Sequence, residues 1–580
     1  MMQSSLPSKT IKNSKKKATD TSHKKSAYGL VTPFVIFFIV TILIPIIISF
    51  AFSFMKIGYS FEFVGFDNYL AIFRDPLFIK SYTNVLIIMA GSIPITMLLA
   101  IYFAVLLNSA QLKGKGFFRT VYYIPTITST VAVASVFMTF FNPTGLFNGF
   151  LNALGINGVQ WLTNPFWIRI SMIITMIWLS VGYNTILFLA GLQGISKEIY
   201  ESAEIDGASK FRQFFLLTIP MLKPIILMAT VLATINGLGN FNIPNIFFGT
   251  SNGPENSALV VGSIYIKQVL KWLILEKPLL LPGRWCLYLL YYRLFNLNSE
   301  VIKMTKQKIQ SRIFTYVIIV FGALIFLMPY LYMIVASTQS NQEILSGGIN
   351  FKFGDMLLKN WQAIMARYNY PLIIWNSIVI AVISTVLATA SSTMAGYALA
   401  KYRFMGNKLL FNTVMLSRMV PFFTTLIPLF YIMSRLGLSN TYAGVIIPSI
   451  ASTTSVFMMR QYSSQFPTAL MEAARIDGAN EWVIFTKIAV PILSPTIITS
   501  GLLIFMGSWN QYLFPLVMLS DKDKYTVPLI IKNMTVSSTG EPINYGAIML
   551  ILATSVIPMV LIYVWAQSKF KENDIGAANK

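Results

Sequence analysis

The sequence is short of the residues on which most enzymes and metal sites depend. Its 580 residues include one cysteine, Cys286, and one histidine, His23, so neither an internal disulfide nor a Cys/His zinc site can be assembled. Charged residues make up 11% of the chain, against about 25% in ordinary globular domains. We therefore expect no catalytic residue, no metal site and no soluble enzyme fold.

Apolar residues take the place of the missing charge. The chain is 55% hydrophobic and 14% aromatic, and a membrane-spanning helix needs about 20 mainly apolar residues. The first such run, 28–54, follows a lysine-rich tail and is too long for a cleaved signal peptide, so we interpret it as a retained signal-anchor. The pattern predicts an all-α polytopic membrane protein with about 12 transmembrane helices, at roughly 28–54, 84–108, 121–141, 165–193, 219–240, 259–297, 313–336, 372–399, 409–433, 441–460, 489–507 and 546–567.

The distribution of positive charge predicts the orientation. There are 44 Lys and Arg residues against 21 Asp and Glu, an excess that in a soluble protein would suggest nucleic-acid binding. Here the basic residues collect in the tail and in alternate loops, whereas the opposite stretch 142–164 has no charge at all. Because cytoplasmic loops carry the excess of Lys and Arg, we expect both termini to be cytoplasmic, the bilayer to be the partner and nucleic acid not to be one.

The sixth predicted span is interrupted by charge. Residues 271–297 include Glu276, Lys277, Arg284 and Arg293. One interpretation is an interfacial helix or an irregular linker. The other is a true crossing, which the basic segment 298–312 favours because the next span must then begin on the cytoplasmic side.

An internal repeat links the two halves of the chain. Residues 200–210 match residues 471–481, and the same spacing of 271 carries Glu201 to Glu472 and Pro220 to Pro491 without a gap over about 45 residues. Asn84 and Asn376 begin comparable spans, although at a spacing of 292. Because both copies fall on the same predicted side of the membrane, we expect two parallel six-helix repeats.

Each copy of the repeat predicts a short amphipathic helix between two spans. We expect Glu201 to lie at the helix N-terminus, where a carboxylate is favourable, and Gly207 and Gly478 to end the helix in a turn. Pro220 and Pro491 would then begin the following span, since proline is tolerated in a first turn. Such a unit is either a rigid cytoplasmic knob or an ordinary interfacial helix joining two spans, and its occurrence twice in register favours the knob.

The repeated motif resembles that of a known family. Glu201-Ser-Ala203…Gly207 and Glu472-Ala-Ala474…Gly478 are similar to the loop signature of importer permeases of the ATP-binding cassette (ABC) family, in the Ile-Asp-Gly-Ala variant typical of carbohydrate permeases. Residues 64–69 and 119–126 resemble the first membrane subunit of maltose-type importers, and 427–442 resembles its partner subunit. Those subunits are normally separate chains, whereas here they are fused.

The resemblance implies a fold, partners and site residues. It implies a type I ABC importer permease in the bacterial cell membrane, served by two ATP-hydrolysing subunits and an extracytoplasmic sugar-binding protein and carrying an oligosaccharide. ATP and Mg²⁺ would be used by the partner subunits, and no cofactor is expected in this chain. The ATPase-docking residues carried over from the motif are Glu201, Ala203, Asp206, Gly207, Pro220, Glu472, Ala474, Asp477, Gly478 and Pro491.

The source of energy is expected to lie outside the chain. A Walker-type Gly-Lys-(Ser/Thr) is absent, because Gly114 and Lys115 are followed by Gly116. Apart from Glu276, no acidic residue falls inside a predicted span, so the carboxylates that secondary transporters use for proton or sodium coupling are missing. The rival hypotheses are a secondary sugar carrier and a membrane scaffold or sensor that docks ATPases without moving solute.

Polar and aromatic residues within the spans are candidates for the translocation path. At the common spacing of 271, the segment 240–242, which contains Asn240 and Asn242, aligns with 511–513, which contains Gln511 and Tyr512. Trp509 and Asn510 directly precede that second segment. Asn184 lies in the fourth span. The alternative is that these groups merely join helices. Arg418, about ten residues into the ninth span, either lines the path or extends to the membrane interface.

Four segments follow from these patterns. They are a basic cytoplasmic tail (1–27), a first permease half (28–297, with a transmembrane core of about 80–275), a cytoplasmic linker (298–312) and a second permease half (313–580, with a core of about 372–567). Residues 276–300 depart from the family pattern, and Met304 resembles an initiator methionine. The fusion is therefore either natural or the result of a frameshift or junction near 276–304.

Overall fold

The computed structural model describes residues 25–57, 61–109, 112–249, 251–264, 307–346, 351–535 and 543–578. The sixth predicted span beyond residue 264 and the junction at 276–304 lie outside the described residues. Whether that span crosses the membrane therefore stays a prediction.

The described part of the first half is helical apart from one small hairpin. The two strands, β1 (Met55–Ile57) and β2 (Phe61–Phe63), pair antiparallel with Lys56 opposite Glu62. The helices are α1 (Lys25–Phe52), α2 (Asp67–Arg74), α3 (Pro76–Asn108), α4 (Lys115–Ile127), α5 (Thr130–Phe140), α6 (Leu146–Ala153), α7 (Pro165–Gln193), α8 (Lys197–Ile205), α9 (210–238) and α10 (Asn242–Phe248).

The described part of the second half is built in the same way. Its helices are α11 (Gln307–Ala336), α12 (Asn341–Leu345), α13 (Leu357–Arg367), α14 (Tyr370–Lys401), α15 (Asn407–Ser417), α16 (Phe422–Arg435), α17 (Tyr442–Ser449), α18 (Thr453–Gln465), α19 (Thr468–Ile476), α20 (Glu481–Trp509), α21 (Leu513–Met518), α22 (Val527–Thr535) and α23 (Tyr545–Ala578). A single 3₁₀ turn occurs in the described part of each half, at Pro254–Asn256 in the first and at Lys522–Lys524 in the second.

The membrane-spanning helices confirm the predicted all-α multispan fold. Among the described residues, nine helices are long and apolar enough to cross a bilayer, and the number rises to 11 when two bent helix pairs each count as one span. These elements correspond to every predicted span except the sixth.

Two of the predicted spans are bent, which the apolar pattern did not show. The third consists of α4 and α5 at 93°, and the ninth of α15 and α16 at 107°. Thr128 and Ser129 adopt extended backbone at the first bend, as Pro421 does at the second. Proline has no backbone N–H and disfavours helical backbone in the residue before it, so Pro421 suits the break between α15 and α16.

The internal repeat is present in the structure in the same register. Helix α19 covers the same positions as α8 at the spacing of 271, and Val490–Trp509 within α20 likewise matches Ile219–Leu238 within α9. Each of these longer helices contains a π-helical segment at the matching place, Phe214–Thr218 and Ile484–Ala489.

The chain divides into two compact units, each of which draws on both halves of the sequence. The first-core unit comprises the described residues of Phe52–Tyr370 and Val527–Ile557. It includes α11, the first span of the second half: Tyr122 donates its hydroxyl to the Ile319 carbonyl (3.1 Å), and the Lys113 amide donates to the Tyr316 hydroxyl (2.7 Å).

The first-core unit also includes α22, where the Lys532 amine donates to the Asn245 carbonyl (2.7 Å). Burial lowers the pKa of Lys532 to about 8.

The second-core unit comprises the described residues of Met1–Ala51, Pro371–Thr526 and Pro558–Lys580. It includes α1, the first span of the first half, which buries Phe34 and Phe38 in a core shared with Tyr397 and Phe485. Near the start of α1, the Tyr28 hydroxyl donates to the Met405 carbonyl (3.2 Å). Each half of the sequence therefore contributes its first span to the core of the other half, so neither half contains a complete core unit.

A buried asparagine occupies the same place near the start of a long helix in each unit. Asn84 donates its amide to the carbonyls of Asn256 (2.8 Å) and Leu259 (2.9 Å). Asn376 donates to the carbonyls of Asp523 (2.7 Å) and Tyr525 (3.1 Å). The similarity of Asn84 and Asn376 in the sequence thus reflects a shared role in holding a loop against a span.

Candidate functional site

The two loop helices, α8 and α19, end in the same hydrogen-bonded turn. In α8 the Gly207 amide donates to Glu204 (3.1 Å) and the Ala208 amide to Ala203 (2.9 Å); in α19 the amides of Gly478 and Ala479 donate to Arg475 (3.1 Å) and Ala474 (2.9 Å). This pair of hydrogen bonds is the Schellman motif, which needs a residue with left-handed backbone directly after the helix. Gly207 and Gly478 supply it with φ of 76° and 84°. The prediction that these glycines end the helices is confirmed.

The predicted position of Glu201 is wrong. Helix α8 begins at Lys197, where the Ser196 hydroxyl accepts from the Glu198 amide. Glu201 therefore lies in the middle of α8, and Glu472 lies correspondingly in the middle of α19. Both carboxylates are exposed, and neither belongs to the first turn, where a helix dipole would favour it.

The predicted positions of Pro220 and Pro491 also need correction. Neither proline starts a span, because α9 and α20 run continuously from residues 210 and 481. Each proline is the second residue after the π-helical segment of its helix. The wide π turn changes the i→i−4 bonding that proline would otherwise interrupt, so the helix continues through the proline.

Large apolar side chains are exposed on both loop helices at equivalent positions. Ile205 is 87% exposed and Ile476 is 85% exposed, each beside the aspartate that precedes the glycine. Two further pairs at the spacing of 271 are also exposed, namely Ile199 with Leu470 and Phe211 with Trp482. Each half thus presents an apolar surface next to the carboxylates Asp206 or Asp477.

The C-terminal end of α19 is anchored by a buried carboxylate. Glu481, at the start of α20, accepts from Arg475 at 2.7 and 3.1 Å and from the Tyr402 hydroxyl at 2.6 Å. The hydrogen bond to Glu481 raises the pKa of Arg475, and burial raises the pKa of Tyr402. Both groups therefore keep their protons and remain donors to Glu481.

The anchoring of α8 given by the described hydrogen bonds is more local. The Tyr200 and Thr218 hydroxyls share a hydrogen bond (2.9 Å), and the Gln213 amide donates to the Ala208 carbonyl (3.0 Å). Both bonds connect α8 and its turn to α9, the helix that follows it.

A cavity lined by apolar side chains and by several polar ones lies in the first-core unit among α3, α4, α5, α7, α9 and α10. Its volume is about 440 Å³, and it brings together Asn184, Asn240 and Asn242 from the predicted path. Sequence reasoning missed further polar lining residues, namely Ser92, Thr96, Thr126, Thr130, Ser180 and Asn236. The hydroxyls of Ser92 and Thr126 are buried without a hydrogen-bond partner among the described residues. The cavity therefore offers amide and hydroxyl groups to a polar solute.

The predicted path residues of the second half do not line this cavity. Trp509 and Tyr512 are each only 3% exposed, and Trp509 stacks on Phe505 with ring centroids 6.0 Å apart. Asn510 and Gln511 lie between these two aromatics in the second-core unit. Their contact with a solute stays a prediction.

Arg418 lies at the bend between α15 and α16, and not ten residues into a straight span. It follows the last residue of α15, and its guanidinium lies 5.8 Å from the centre of the Phe457 ring. A cation can stack on an aromatic face in this way, so the structure gives Arg418 a packing contact at the bend.

The membrane helices, the paired loop helices and the cavity with its polar groups fit a solute permease assembled from two similar halves. Residues 92–274 and 392–571 each match the family described as binding-protein-dependent transport system inner membrane component. Because these matches cover more than half of the chain, the chain belongs to that family and combines two of its subunits in one polypeptide.

Individual relatives match the two halves separately. Among them are the lactose transport system permease proteins LacG and LacF of Rhizobium radiobacter. LacG is 32% identical over 262 residues (45% of this chain, 94% of LacG), and LacF is 38% identical over 239 residues (41% of this chain, 80% of LacF). A crystal structure of a bacterial ABC transporter involved in alginate import is similar at a TM-score of 0.42 and 23% identity, covering 47% of this chain and all of that one.

Proposed function

We propose that this chain forms the translocation path of an ATP-driven importer of oligosaccharides or related glycans. In this proposal α8 and α19 each dock one ATP-hydrolysing subunit on the cytoplasmic side, where both termini also lie. ATP and Mg²⁺ would be bound by those subunits, and an extracytoplasmic binding protein would deliver the solute to the outer mouth.

The observation that carries the proposal is the matched exposure of Ile205 and Ile476. Each isoleucine projects from a helix whose last turn is fixed by a Schellman motif, so it is presented rigidly. A large aliphatic side chain left exposed at two equivalent positions favours a protein interface, because burying it in a partner's pocket contributes about 1.5–3 kcal/mol.

The cavity supports a glycan as the solute. Its amides and hydroxyls can donate to and accept from sugar hydroxyls, and Tyr183 and Phe241 add aromatic faces. The names of the relatives, which include lactose and arabino-oligosaccharide permeases, are consistent with this chemistry. The family description itself favours a partner binding protein.

Replacing the two isoleucines with aspartate tests the docking role. We expect I205D and I476D each to lower co-purification of the ATPase subunits about tenfold, since about 1.4 kcal/mol corresponds to a factor of ten, and the double variant to abolish it. The control is I156D, because Ile156 is also exposed but lies in a loop that is predicted to face outward. Undiminished co-purification in the double variant would refute the docking role.

Transport in reconstituted vesicles separates this function from its rivals. Uptake that is abolished by an uncoupler while ATP is held constant would favour a secondary carrier. ATP hydrolysis without solute accumulation would favour a scaffold or sensor. The proposal expects uptake that requires ATP and survives the uncoupler.

A further inference from the structure

The buried carboxylate of Glu481 joins three separate helices of the second-core unit. It is 8% exposed and accepts from Arg475 at the end of α19 and from Tyr402, the residue directly after α14. Glu481 itself is the first residue of α20. A buried carboxylate is tolerated only when its oxygens are paired and hydrogen-bonded, and both oxygens of Glu481 are.

The other end of α19 is attached to the same place on α14. Phe466 lies just before α19, and the Lys401 amine donates to its carbonyl and lies 5.2 Å from the centre of its ring. Lys401 is the last residue of α14 and Tyr402 follows it directly. The segment leading into α19 and the residue following its turn are thus both hydrogen-bonded to residues at the end of α14, which couples the position of α19 to that of α14.

The corresponding positions in the first half carry charges of opposite sign. At the spacing of 271, Arg475 corresponds to Glu204 and Glu481 to Lys210. The pair of charges is therefore retained in the sequence while its order is reversed. This suggests that an ion pair, rather than a particular residue at either position, is the feature that both halves require.

We propose that Glu481, Arg475 and Tyr402 are positioning residues that transmit movement of α19 to the membrane span α14. The inference rests on the proposed function, because it takes α19 to be the helix on which an ATPase subunit acts. In this arrangement the second half converts displacement of the loop helix into displacement of a span through the Glu481 network.

Two mild variants test the network in the complete complex reconstituted with its ATPase subunits and binding protein. Y402F removes one hydroxyl, and E481Q removes the charge while keeping the shape. We expect both to retain the ATPase subunits and to hydrolyse ATP within twofold of the wild type. Uptake per ATP hydrolysed should fall at least fivefold, measured with radiolabelled lactose or arabinotriose, whichever the wild type accumulates.

Three comparisons make the result specific to positioning. The control Y462F alters an exposed tyrosine on α18 and should leave uptake per ATP unchanged. The exchange R475E/E481R restores an ion pair in the order found in the first half and should recover at least half of the wild-type ratio. Spin labels placed at the exposed residues Arg403 and Ala473, in a Cys286→Ser background, should show a broader distance distribution in E481Q than in the wild type.

The outcomes separate this inference from the proposed function. Wild-type uptake per ATP in both Y402F and E481Q, or loss of the ATPase subunits from E481Q, would overturn the positioning role alone. Full retention of the ATPase subunits by I476D would overturn the proposed docking on α19, and the inference with it.

Discussion

The two halves of the chain are alike in the turns that end their loop helices and differ where the following span ends. Helices α8 and α19 occupy equivalent positions of the repeat and share one terminal turn. After α9, Asn240 and Asn242 line a cavity; after α20, the equivalent stretch buries Trp509 and Tyr512. The two loop helices thus share one geometry, whereas the cavity is lined by the first-half stretch and not by its second-half equivalent.

The difference follows from what each region requires of its residues. The terminal turn of a loop helix depends on a left-handed backbone, which glycine adopts without steric strain, so few other residues can replace Gly207 or Gly478. The ends of α9 and α20 are ordinary helix ends, where side chains can differ freely. Where the first half has Leu238 and Gly239, the second half has the larger Trp509 and Asn510, and the two helices still end at equivalent positions.

The largest expected effect concerns a glycine beside the cavity. A Cβ on Gly182 would lie 1.8 Å from the Tyr122 carbonyl oxygen, a backbone atom that cannot move aside alone. Inserting extra atoms into a packed contact typically lowers the free energy of unfolding by about 1–3 kcal/mol, and occasionally by more. Because the clash at Gly182 is with backbone, we expect G182A to lower the free energy of unfolding by about 3 kcal/mol or more. The Tm of the detergent-solubilised protein should fall accordingly.

The matched control for Gly182 lies in the second-core unit. A Cβ on Gly501 would meet Thr389 at an ordinary 3.6 Å, so G501A should leave the Tm nearly unchanged. A wild-type Tm for G182A would show that α7 and α4 are not held as closely as the structure describes.

The next effect tests whether the path lies in the first half. Asn240 lines the cavity, and its amide donates to the Met176 sulfur at 3.2 Å, a weak acceptor that a sugar hydroxyl could replace. We expect N240L to lower uptake at least tenfold, because one lost hydrogen bond in a buried site costs about 1–3 kcal/mol. ATP hydrolysis without solute should stay within twofold.

The equivalent residue of the second half provides the control for Asn240. Gln511 lies at the same position of the repeat but outside the cavity lining, so Q511L should alter uptake less than twofold. A larger loss of uptake in Q511L than in N240L would show that the solute contacts the second-half residue and not its first-half equivalent.

The sequence alone predicted the spans, the repeat and the glycine turns, because each has a local signal. Apolar length identifies a span, and the unbroken spacing of 271 identifies the repeat. The glycine turn follows from the chemistry of a single residue, and the structure confirms it at Gly207 and Gly478.

The exchange of first spans between the halves could not be predicted in this way. Lipid tails and protein interiors are both apolar, so the composition of α1 does not reveal whether Phe34 packs on its own half or the other. The cavity was only partly predictable for the same reason: Asn184 and Asn240 stand out as polar residues in spans, whereas Ser92 and Thr126 resemble ordinary helix residues. The Glu481 network did have a signal, the reversed charges at two equivalent positions.

The smallest expected effect concerns the turn that both halves share. A Cβ on Gly207 or Gly478 would meet no atom within 4 Å, so the expected cost of a substitution comes from the left-handed backbone. That conformation costs a residue with a Cβ roughly 1–2 kcal/mol, and a β-branched residue most. We expect G207V and G478V to lower uptake several-fold while the protein stays in the membrane. Asparagine tolerates the left-handed region, so G207N and G478N should restore most of the activity.

The two halves should respond unequally to these valine substitutions. Helix α19 is fastened at both ends through Lys401 and the Glu481 network, whereas the described bonds of α8 run to the helix that follows it. The network should hold the α19 turn against the strain of a valine, so G207V should reduce uptake more than G478V. In an E481Q background that advantage should be lost, so that adding G478V to E481Q lowers uptake by the same factor by which G207V lowers it in the wild type. Equal losses in the two single variants, or equal losses for valine and asparagine, would show that the turns do not differ in the way the network implies.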